Sequence, residues 1–352
     1  MKTFVITDRS TEKSRVVCRG GVLAKALPQA LKTYSEVFVF SDETVWGLYG
    51  KRVLRALGGV KVHTMPAGEA HKTQETLFAL LSAMAEAGLH RGACLVCLGG
   101  GVVGDVGGLA AALYMRGIDC IQVPTTVLAQ VDSSVGGKTA IDFHGIKNLV
   151  GAFRQPKFVF ADPAFFATLP VRELRCGLGE IVKHGALCPA VFDALEENRG
   201  RLLDVSFLAE IVPENIAFKA NVVRRDAREG GLRKCLNLGH TTAHAYELLD
   251  GRLSHGEYVL IGTYAEAEIA KSRGGDREYL SRLQELCLAA LGAFPALPDA
   301  VEAARLACLD KKNTGAGRVV LTAPVARGEY RLLELDVREY ERELARIGRP
   351  SC

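Results

Sequence analysis

Short β-branched runs alternate with helical patterns over the first 170 residues, and this alternation constrains the fold more than any other feature. Runs such as VFVF, CLVCLGG and FVFAD are separated by segments such as TQETLFALLSAMAEAGL, in which apolar residues recur at helical spacing. Strands that alternate with helices predict a mostly parallel sheet covered by helices. We therefore expect residues 1–170 to form an α/β, Rossmann-like nucleotide-binding domain.

From residue 171 onward the spacing of apolar residues becomes helical throughout, in segments such as VRELRCGLGEIVKHGAL and GEYVLIGTYAEAEIAKS. This pattern predicts an all-α second domain over residues 171–352. Within it, RVVLTAPVARGEYRLLEL indicates a late hairpin and DVREYERELARIG a last helix. A chain of 352 residues is long enough for two domains, each with its own core.

Charge and apolar patterning exclude several classes of partner. The net charge is only +4, and Lys and Arg are interleaved with Asp and Glu, so we expect no nucleic-acid partner. The apolar stretches are too short to span a membrane and the N-terminal residues lack a signal-peptide core, so we expect a cytoplasmic protein without a membrane partner.

Cys94 and Cys97 form a CxxC inside a strand-like run, where residues three apart point to opposite faces, which favours a structural role.

The run LGGGVVGDVGG follows a predicted strand and opens a predicted helix. Gly99, Gly101 and Gly104 satisfy the pattern GxGxxG, in which backbone amides and a helix N-terminus can hold a pyrophosphate. The same glycines are equally compatible with tight packing of a helix on a strand. Asp42, directly after the strand VFVFS, is the better candidate for holding a ribose than any acidic residue further along.

Three potential metal ligands, Glu180, His240 and His255, lie in the helical half. Two imidazoles and a carboxylate with one open position suit a zinc-like ion that acts on a substrate. His240 and His244 are four residues apart and share one helical face, and the sequence SHGE at residue 254 predicts a capping box that fixes the backbone of His255. Against this, isolated buried histidines are more often satisfied core residues than ligands.

Cationic and amide side chains cluster near these glycine-rich turns. Each alone is more often a solvated surface group, but together they favour a polyanionic ligand. They are Arg116, Lys138, Lys147, Asn148, Lys183, Lys219, Arg233 and the run Asp310-Lys311-Lys312.

In order and spacing these motifs resemble the 3-dehydroquinate synthase family of sugar-phosphate cyclases, from about Asp42 to Lys312. The matching segments are PAGEAHKT, GGGVVGDVGG, YMRG, PTTVLAQVDSSVGGKTAID, GIKNLVGAF, TLPVRELRCGLGEIVKHG, EGGLRKCLNLGHTTAHA and LSHGE. The resemblance implies a nucleotide-binding domain, a helical domain and an active site in the cleft between them. The loop after Lys138 and the segment before His255 are each about one residue shorter than the resemblance leads us to expect.

The resemblance also implies the cofactors and the site residues. It implies NAD and a divalent metal, zinc or alternatively cobalt, held by Glu180, His240 and His255. The implied NAD contacts are Asp42, Glu69, Lys72, Gly99, Gly100, Gly101, Asp105, Thr125, Thr126, Lys147 and Thr168. The implied substrate contacts are Asp132, Lys138, Asn148, Lys183, Lys219, Arg233, Asn237, His244 and either Lys311 or Lys312, with Arg116 contributed by the partner subunit of a homodimer.

The implied activity is conversion of 3-deoxy-D-arabino-heptulosonate 7-phosphate into 3-dehydroquinate and phosphate, in the shikimate pathway of aromatic amino acid biosynthesis. It proceeds through transient oxidation by NAD, β-elimination of phosphate, reduction and aldol cyclisation. This chemistry accounts for the residues: the planar fork of Arg233 suits the substrate carboxylate. Its phosphate suits Lys138, Asn148, Lys311 and Arg116.

Three alternatives stay open. An oxidoreductase of the glycerol-dehydrogenase or iron-dependent alcohol-dehydrogenase kind would share the plan but would have no use for Lys138, Lys219 and Arg233 together. A cyclase for another sugar phosphate would act on a substrate that has no carboxylate for Arg233 to bind. An amino analogue of the usual substrate would still carry that carboxylate. A non-catalytic nucleotide-binding protein would bury these charges to no purpose, which is costly.

Overall fold

Strands and helices alternate up to residue 124, and three more strands follow up to residue 162, in the structure, a computed structural model that describes residues 13–309 and 317–347. In chain order the helices and strands of this part are β1 (Arg15–Cys18), α1 (Ala26–Leu31), β2 (Val37–Asp42), α2 (Glu43–Leu57), β3 (Lys61–Met65), α3 (Gln74–Glu86), β4 (Cys94–Gly99), α4 (Gly101–Leu113), β5 (Asp119–Pro124), β6 (Lys138–Phe143), β7 (Ile146–Phe153) and β8 (Phe158–Ala161).

Six of these strands form one parallel sheet in the order β1-β8-β5-β4-β2-β3, which confirms the predicted α/β architecture. Strand β4 lies inside the sheet and all six of its residues are buried, as a parallel strand covered on both faces requires. Its CxxC therefore lies within the sheet, and both thiols, Cys94 and Cys97, are free. Strands β6 and β7 form a separate antiparallel pair.

Local sequence fixes where the helices begin and end. Asp42 accepts a hydrogen bond from the amide of Val45 and caps α2, and Gly58, with φ of 76°, ends that helix. Thr73 caps α3 in the same way through the amide of Thr76. Side-chain caps of this kind satisfy amides that have no partner within the helix, and Asp42 therefore already has a structural role.

The rest of the described chain is mainly helical, as predicted. Its elements are α5 (Val171–Leu187), α6 (Pro189–Glu197), α7 (Val205–Arg225), α8 (His240–Leu249), α9 (His255–Lys271), α10 (Arg277–Leu291), α11 (Ala300–Leu309), β9 (Arg318–Ala326), β10 (Glu329–Asp336) and α12 (Val337–Ile347). Strands β9 and β10 form the predicted hairpin, and α12 is the predicted last helix. Most of α9 is buried, and this helix forms the centre of the helical part.

By their internal packing the described residues divide into two units. Residues 13–124 and 137–162 form the first, and residues 125–136, 163–309 and 317–347 form the second. The segment 125–136, which contains a π-helical turn, belongs to the second unit although it precedes the predicted domain boundary at residue 170. Among the described helices, none combines the length and the apolar character needed to cross a membrane.

Candidate functional site

Three side chains from three helices of the second unit converge on one point. Glu180 lies in the middle of α5, His240 is the first residue of α8 and His255 is the first residue of α9. Glu180 Oε1 is 3.5 Å from Nε2 of His240 and 3.4 Å from Nε2 of His255. The three ligand atoms lie within 4.8 Å of one another, so the structure brings together the three residues that the sequence suggests as metal ligands.

Hydrogen bonds at the far side of each imidazole fix which nitrogen faces Glu180. Nδ1 of His240 lies 3.0 Å from the carbonyl oxygen of Leu238, and Nδ1 of His255 lies 3.3 Å from Oε2 of Glu247. Both partners are acceptors, so Nδ1 carries the proton in each ring. In the neutral form of each ring the lone pair is therefore on Nε2, on the side of Glu180, and this is the tautomer that a metal ligand needs.

These distances fit a small divalent cation. Ligand atoms placed about 2.0–2.2 Å from a tetrahedral zinc ion are about 3.4 Å apart, which is the spacing between the Glu180 carboxylate and the two imidazoles. The donor set is one carboxylate and two imidazoles, and it leaves one position open. The second unit thus contains a possible metal site at Glu180, His240 and His255.

The pKa values of the three groups diverge for physical reasons. Burial would raise the pKa of Glu180, but Lys183 and His240 hold it well below its usual range. Burial lowers the pKa of His240 to about 3, in spite of Glu180. Burial acts in the same direction on His255, but hydrogen bonds to Glu180 and Glu247 outweigh it and raise the pKa to about 9. A positive charge is therefore favoured between Glu180 and Glu247.

A second group of charges lies next to this one. Lys219 Nζ is 2.8 Å from Oδ1 of Asp132 and donates to the backbone oxygen of the same residue, and Lys183 Nζ contacts both Asp132, at 3.6 Å, and Glu180. Burial would raise the pKa of Asp132, but the two lysines hold it well below its usual range. Burial lowers the pKa of Lys219 to about 8. The structure therefore places Asp132, Lys183 and Lys219 beside the candidate metal ligands, as the resemblance implies.

Arg233 is 2 % exposed and is held by backbone carbonyls. It donates to the carbonyl oxygens of Gly136 at 3.1 Å and Ala227 at 2.8 Å. Asp226 organises the loop before it by accepting hydrogen bonds from three backbone amides, one of them that of Arg233. Burial lowers the pKa of Arg233, so this guanidinium favours an anionic ligand more strongly than an exposed arginine does.

Two more predicted contacts lie in the same unit. Asn237 donates to Glu229 Oε1 at 2.9 Å, and Glu229 has a left-handed φ of 60°. The ring of His244 lies 5.4 Å from that of His240, as their shared face of α8 predicts, and 6.0 Å from that of His255 on α9.

Glycines allow the three ligand-bearing helices to approach backbone to backbone. A Cβ at Gly179 would lie 2.1 Å from the carbonyl oxygen of Gly256, and one at Gly256 would lie 1.8 Å from that of Cys176. A Cβ at Gly262 would lie 1.9 Å from the carbonyl oxygen of Gly239, which precedes His240. Side chains at these positions would separate α5, α8 and α9 and move the ligands apart.

In the first unit, the glycine run connects β4 to α4. β4 ends at Gly99, Gly100 precedes the helix and α4 begins at Gly101. Gly100 offers no side-chain cap, so the first amides of this 13-residue helix are open to an anion. The packing interpretation holds at Gly104, where a Cβ would lie 2.9 Å from Gln122 Oε1. Binding of a pyrophosphate at this turn stays a prediction.

Lys72 connects several predicted residues of the first unit. Its Nζ is 2.7 Å from Asp105 Oδ2, 3.7 Å from Glu69 Oε1 and 2.5 Å from Asn148 Oδ1. Asn148 has a left-handed φ of 51°, and its amide donates to Asp142 at 2.7 Å. The structure thus joins Glu69, Lys72, Asp105 and Asn148 in one polar cluster.

The remaining predicted residues lie on turns and strand ends. In the first unit, Lys138 begins β6, Lys147 is in β7, and Arg116 is exposed with a left-handed φ of 65°. In the second unit, Thr125 is buried, and Thr126 and Thr168 use their hydroxyls within their own turns. Lys311 and Lys312 lie outside the described residues.

Two groups near the site were not identified from the sequence. Glu247 contacts His255, and its spacing from His240 and His244 places all three on one face of α8, a signal that was available in the sequence. His184, 0 % exposed, has Nδ1 2.9 Å from Asn215 Oδ1 and Nε2 3.3 Å from Asp132 Oδ1. Finding that contact requires knowing how α5, α7 and the segment 125–136 pack.

Family models match most of the chain. Residues 62–176 match the model described as 3-dehydroquinate synthase N-terminal, and residues 177–313 match the one described as 3-dehydroquinate synthase C-terminal.

Individual relatives agree with these matches. The 3-dehydroquinate synthase of Pelobacter propionicus is 45% identical over 295 residues, which cover 79% of this chain and 80% of that protein. The 3-dehydroquinate synthase of Caldanaerobacter subterraneus subsp. tengcongensis is 42% identical over 314 residues, covering 86% and 87%. Among solved structures, 2-epi-5-epi-valiolone synthase from Streptomyces hygroscopicus subsp. jinggangensis, with NAD+ and Zn2+ bound, has a TM-score of 0.87 at 28% identity, covering 98% of this chain and 99% of that one.

Proposed function

The chain belongs to the 3-dehydroquinate synthase family, and we propose from that premise that it converts 3-deoxy-D-arabino-heptulosonate 7-phosphate into 3-dehydroquinate and phosphate. It is a lyase of the phosphorus-oxygen class that acts in the shikimate pathway. The observation that carries the proposal is the convergence of Glu180, His240 and His255 beside Asp132, Lys183 and Lys219.

The proposed cofactors are NAD and zinc, with cobalt as the alternative metal. When bound, NAD supplies a hydride acceptor that returns the hydride within the same turnover, and the cation supplies Lewis-acid polarisation of substrate hydroxyls. Glu180, His240 and His255 hold the cation in this proposal, which their donor spacing of 3.4 and 3.5 Å supports. The amides at the start of α4 hold the pyrophosphate of NAD, and Lys72 holds Asp105 close to that turn.

The residues of the second unit orient the substrate. Arg233 binds its carboxylate with a planar fork that backbone carbonyls already hold in place. Lys219, with a pKa of about 8, holds or releases a proton at Nζ near neutral pH, and Asp132 fixes its position. Buried in this way, Lys219 suits proton exchange with a substrate hydroxyl. Lys138 and Asn148 of the first unit bind the phosphate.

The direct test is incubation of the purified chain with NAD, zinc and the heptulosonate phosphate. We expect release of phosphate, a product of the mass of 3-dehydroquinate, and flat absorbance at the NADH band, because each hydride transfer is reversed. Arg233→Ala is expected to raise KM steeply, and the exposed Arg282→Ala serves as the matched control. Net accumulation of NADH with a polyol would instead indicate an oxidoreductase. Equal turnover of a heptulose phosphate without the carboxylate would contradict the role of Arg233.

Homodimeric assembly and a cytoplasmic location are part of the same proposal. Leu113 and Met115 are 52% and 44% exposed beside Arg116, and such an apolar surface supports a protein contact there. In a two-fold dimer each Arg116 completes the site of its partner. Mixed dimers of Arg116→Ala and Lys219→Ala chains test this, because one intact site forms only if Arg116 acts across the interface. Mixed dimers that stay as inactive as the two parent variants would refute it.

A further inference from the structure

Glu247 makes a contact that the proposed function leaves unused. Its Oε2 lies 3.3 Å from Nδ1 of His255, on the side of the ring opposite Glu180. Its carboxylate is 13% exposed, so water screens the contact only weakly. Both residues lie in the second unit, Glu247 near the end of α8 and His255 at the start of α9.

The position of Glu247 is unfavourable for helix stability. α8 ends at Leu249, so this carboxylate lies in the last turn, where the helix macrodipole disfavours a negative charge. Helix formation therefore does not explain an acidic residue here, whereas an interaction with a positively charged or metal-bound imidazole does.

His255 needs an orienting partner more than His240 does. The capping box of Ser254 and Glu257, with two contacts of 2.8 Å, fixes the backbone of His255 but leaves its ring free to rotate. The ring is 32% exposed, against 13% for His240, whose Nδ1 is held by the backbone oxygen of Leu238. Among the described contacts of the His255 ring, Glu247 is the acceptor for Nδ1.

We infer that Glu247 is a positioning residue of the metal centre: it orients His255, keeps Nε2 directed at the cation and adds a negative charge behind the ring. The inference rests on the proposed metal site and deepens it, because it makes the cation environment more anionic than the three ligands alone. A carboxylate behind a ligand histidine strengthens metal binding by orienting the ring and making it more basic.

The test measures zinc affinity of the apo-chain by competition with a chromophoric chelator, independently of activity. Glu247→Ala is expected to weaken zinc binding about 10- to 100-fold, and Glu247→Gln, which keeps an acceptor but loses the charge, by a smaller factor. Asp250→Asn is the matched control. It removes a charge three residues further along, where the partner is the exposed Arg252, and is expected to leave affinity unchanged.

The visible spectrum of the cobalt form gives a second readout, because a reoriented or less basic imidazole shifts the d–d bands. A shift in Glu247→Ala that Glu247→Gln partly restores supports a positioning role, and thermal melting of each apo-variant reports whether it is folded. Wild-type zinc affinity and spectra in both Glu247 variants would overturn the inference and leave the metal site standing. Failure of the unmodified chain to bind zinc or cobalt would overturn the proposed metal site as well.

Discussion

A single methyl group at Gly179 is expected to disrupt the metal site without touching a ligand. In Gly179→Ala the new Cβ lies 2.1 Å from the carbonyl oxygen of Gly256, whereas ordinary contact begins at 3.4 Å. Neither atom belongs to a flexible side chain, so α5 and α9 must separate by about 1.3 Å.

The separation acts directly on the ligands. Glu180 follows Gly179 on α5 and His255 precedes Gly256 on α9, so their distance of 3.4 Å widens with the helices. Overpacking of this kind destabilises by about 1–3 kcal/mol. A misplacement of about 1 Å in a catalytic site lowers the rate by about 100-fold. We expect both effects in Gly179→Ala, together with weaker zinc binding.

Gly47→Ala is the control for the methyl group itself. Gly47 lies inside α2, and a Cβ there would meet no atom within 4 Å. Since alanine favours a helix, this variant should gain about 0.5–1 kcal/mol in stability and keep full activity. Urea unfolding measures the stability of both variants, competition with a chelator measures their zinc affinity, and kcat/KM measures their activity. Wild-type zinc affinity and stability in Gly179→Ala would refute the argument that this helix crossing sets the ligand spacing.

Three further perturbations test other parts of the structure. Asp162→Ala removes the acceptor for two backbone amides, at 2.8 and 3.1 Å, and urea unfolding should show a loss of about 1–3 kcal/mol; an unchanged midpoint would contradict this. Lys72→Met removes the ion pair of Lys72 with Asp105 at 2.7 Å, so calorimetry should show weaker binding of NAD. An unchanged affinity for NAD would exclude the polar cluster around Lys72 from the NAD site. The pKa of Asp132 is lowered in the fold, so its carboxylate stabilises the folded chain above its unfolded pKa of about 4, and this contribution is lost as the pH falls. In Asp132→Asn the free energy of unfolding should therefore depend less on pH in the acid range. An unchanged pH dependence would refute the pairing of Asp132 with Lys183 and Lys219.

The fold could be predicted from the sequence because its local signals agree with one another. The buried run of β4, the helical spacing after residue 171 and the turn around Gly328 each have one structural solution. Sheet order is different: β8 pairs with both β1 and β5, and nothing in a strand of four residues specifies those neighbours.

The sequence pointed to the side chains that converge at the candidate metal site, but not to the contacts that support them. One carboxylate and two imidazoles suit metal ligation, and this chemistry pointed to Glu180, His240 and His255. The capping box at Ser254 was also visible in the sequence. The contact of His184 with Asp132 depends on tertiary packing within the second unit. Pairwise tertiary contacts of this kind leave no periodic signal in a single sequence.

The charges around Glu180 indicate that stability was not what selected them. Glu180 and Lys183 are each 2 % exposed, and taking charged groups out of water costs several kcal/mol that their mutual attraction only partly offsets. Apolar residues of similar volume would often be as stable or more so. α5 nevertheless carries both charges on a segment whose glycine allows backbone contact with α9. The close packing of the helices excludes water from these charges, which would strengthen their action on a cation or an anionic substrate bound beside them.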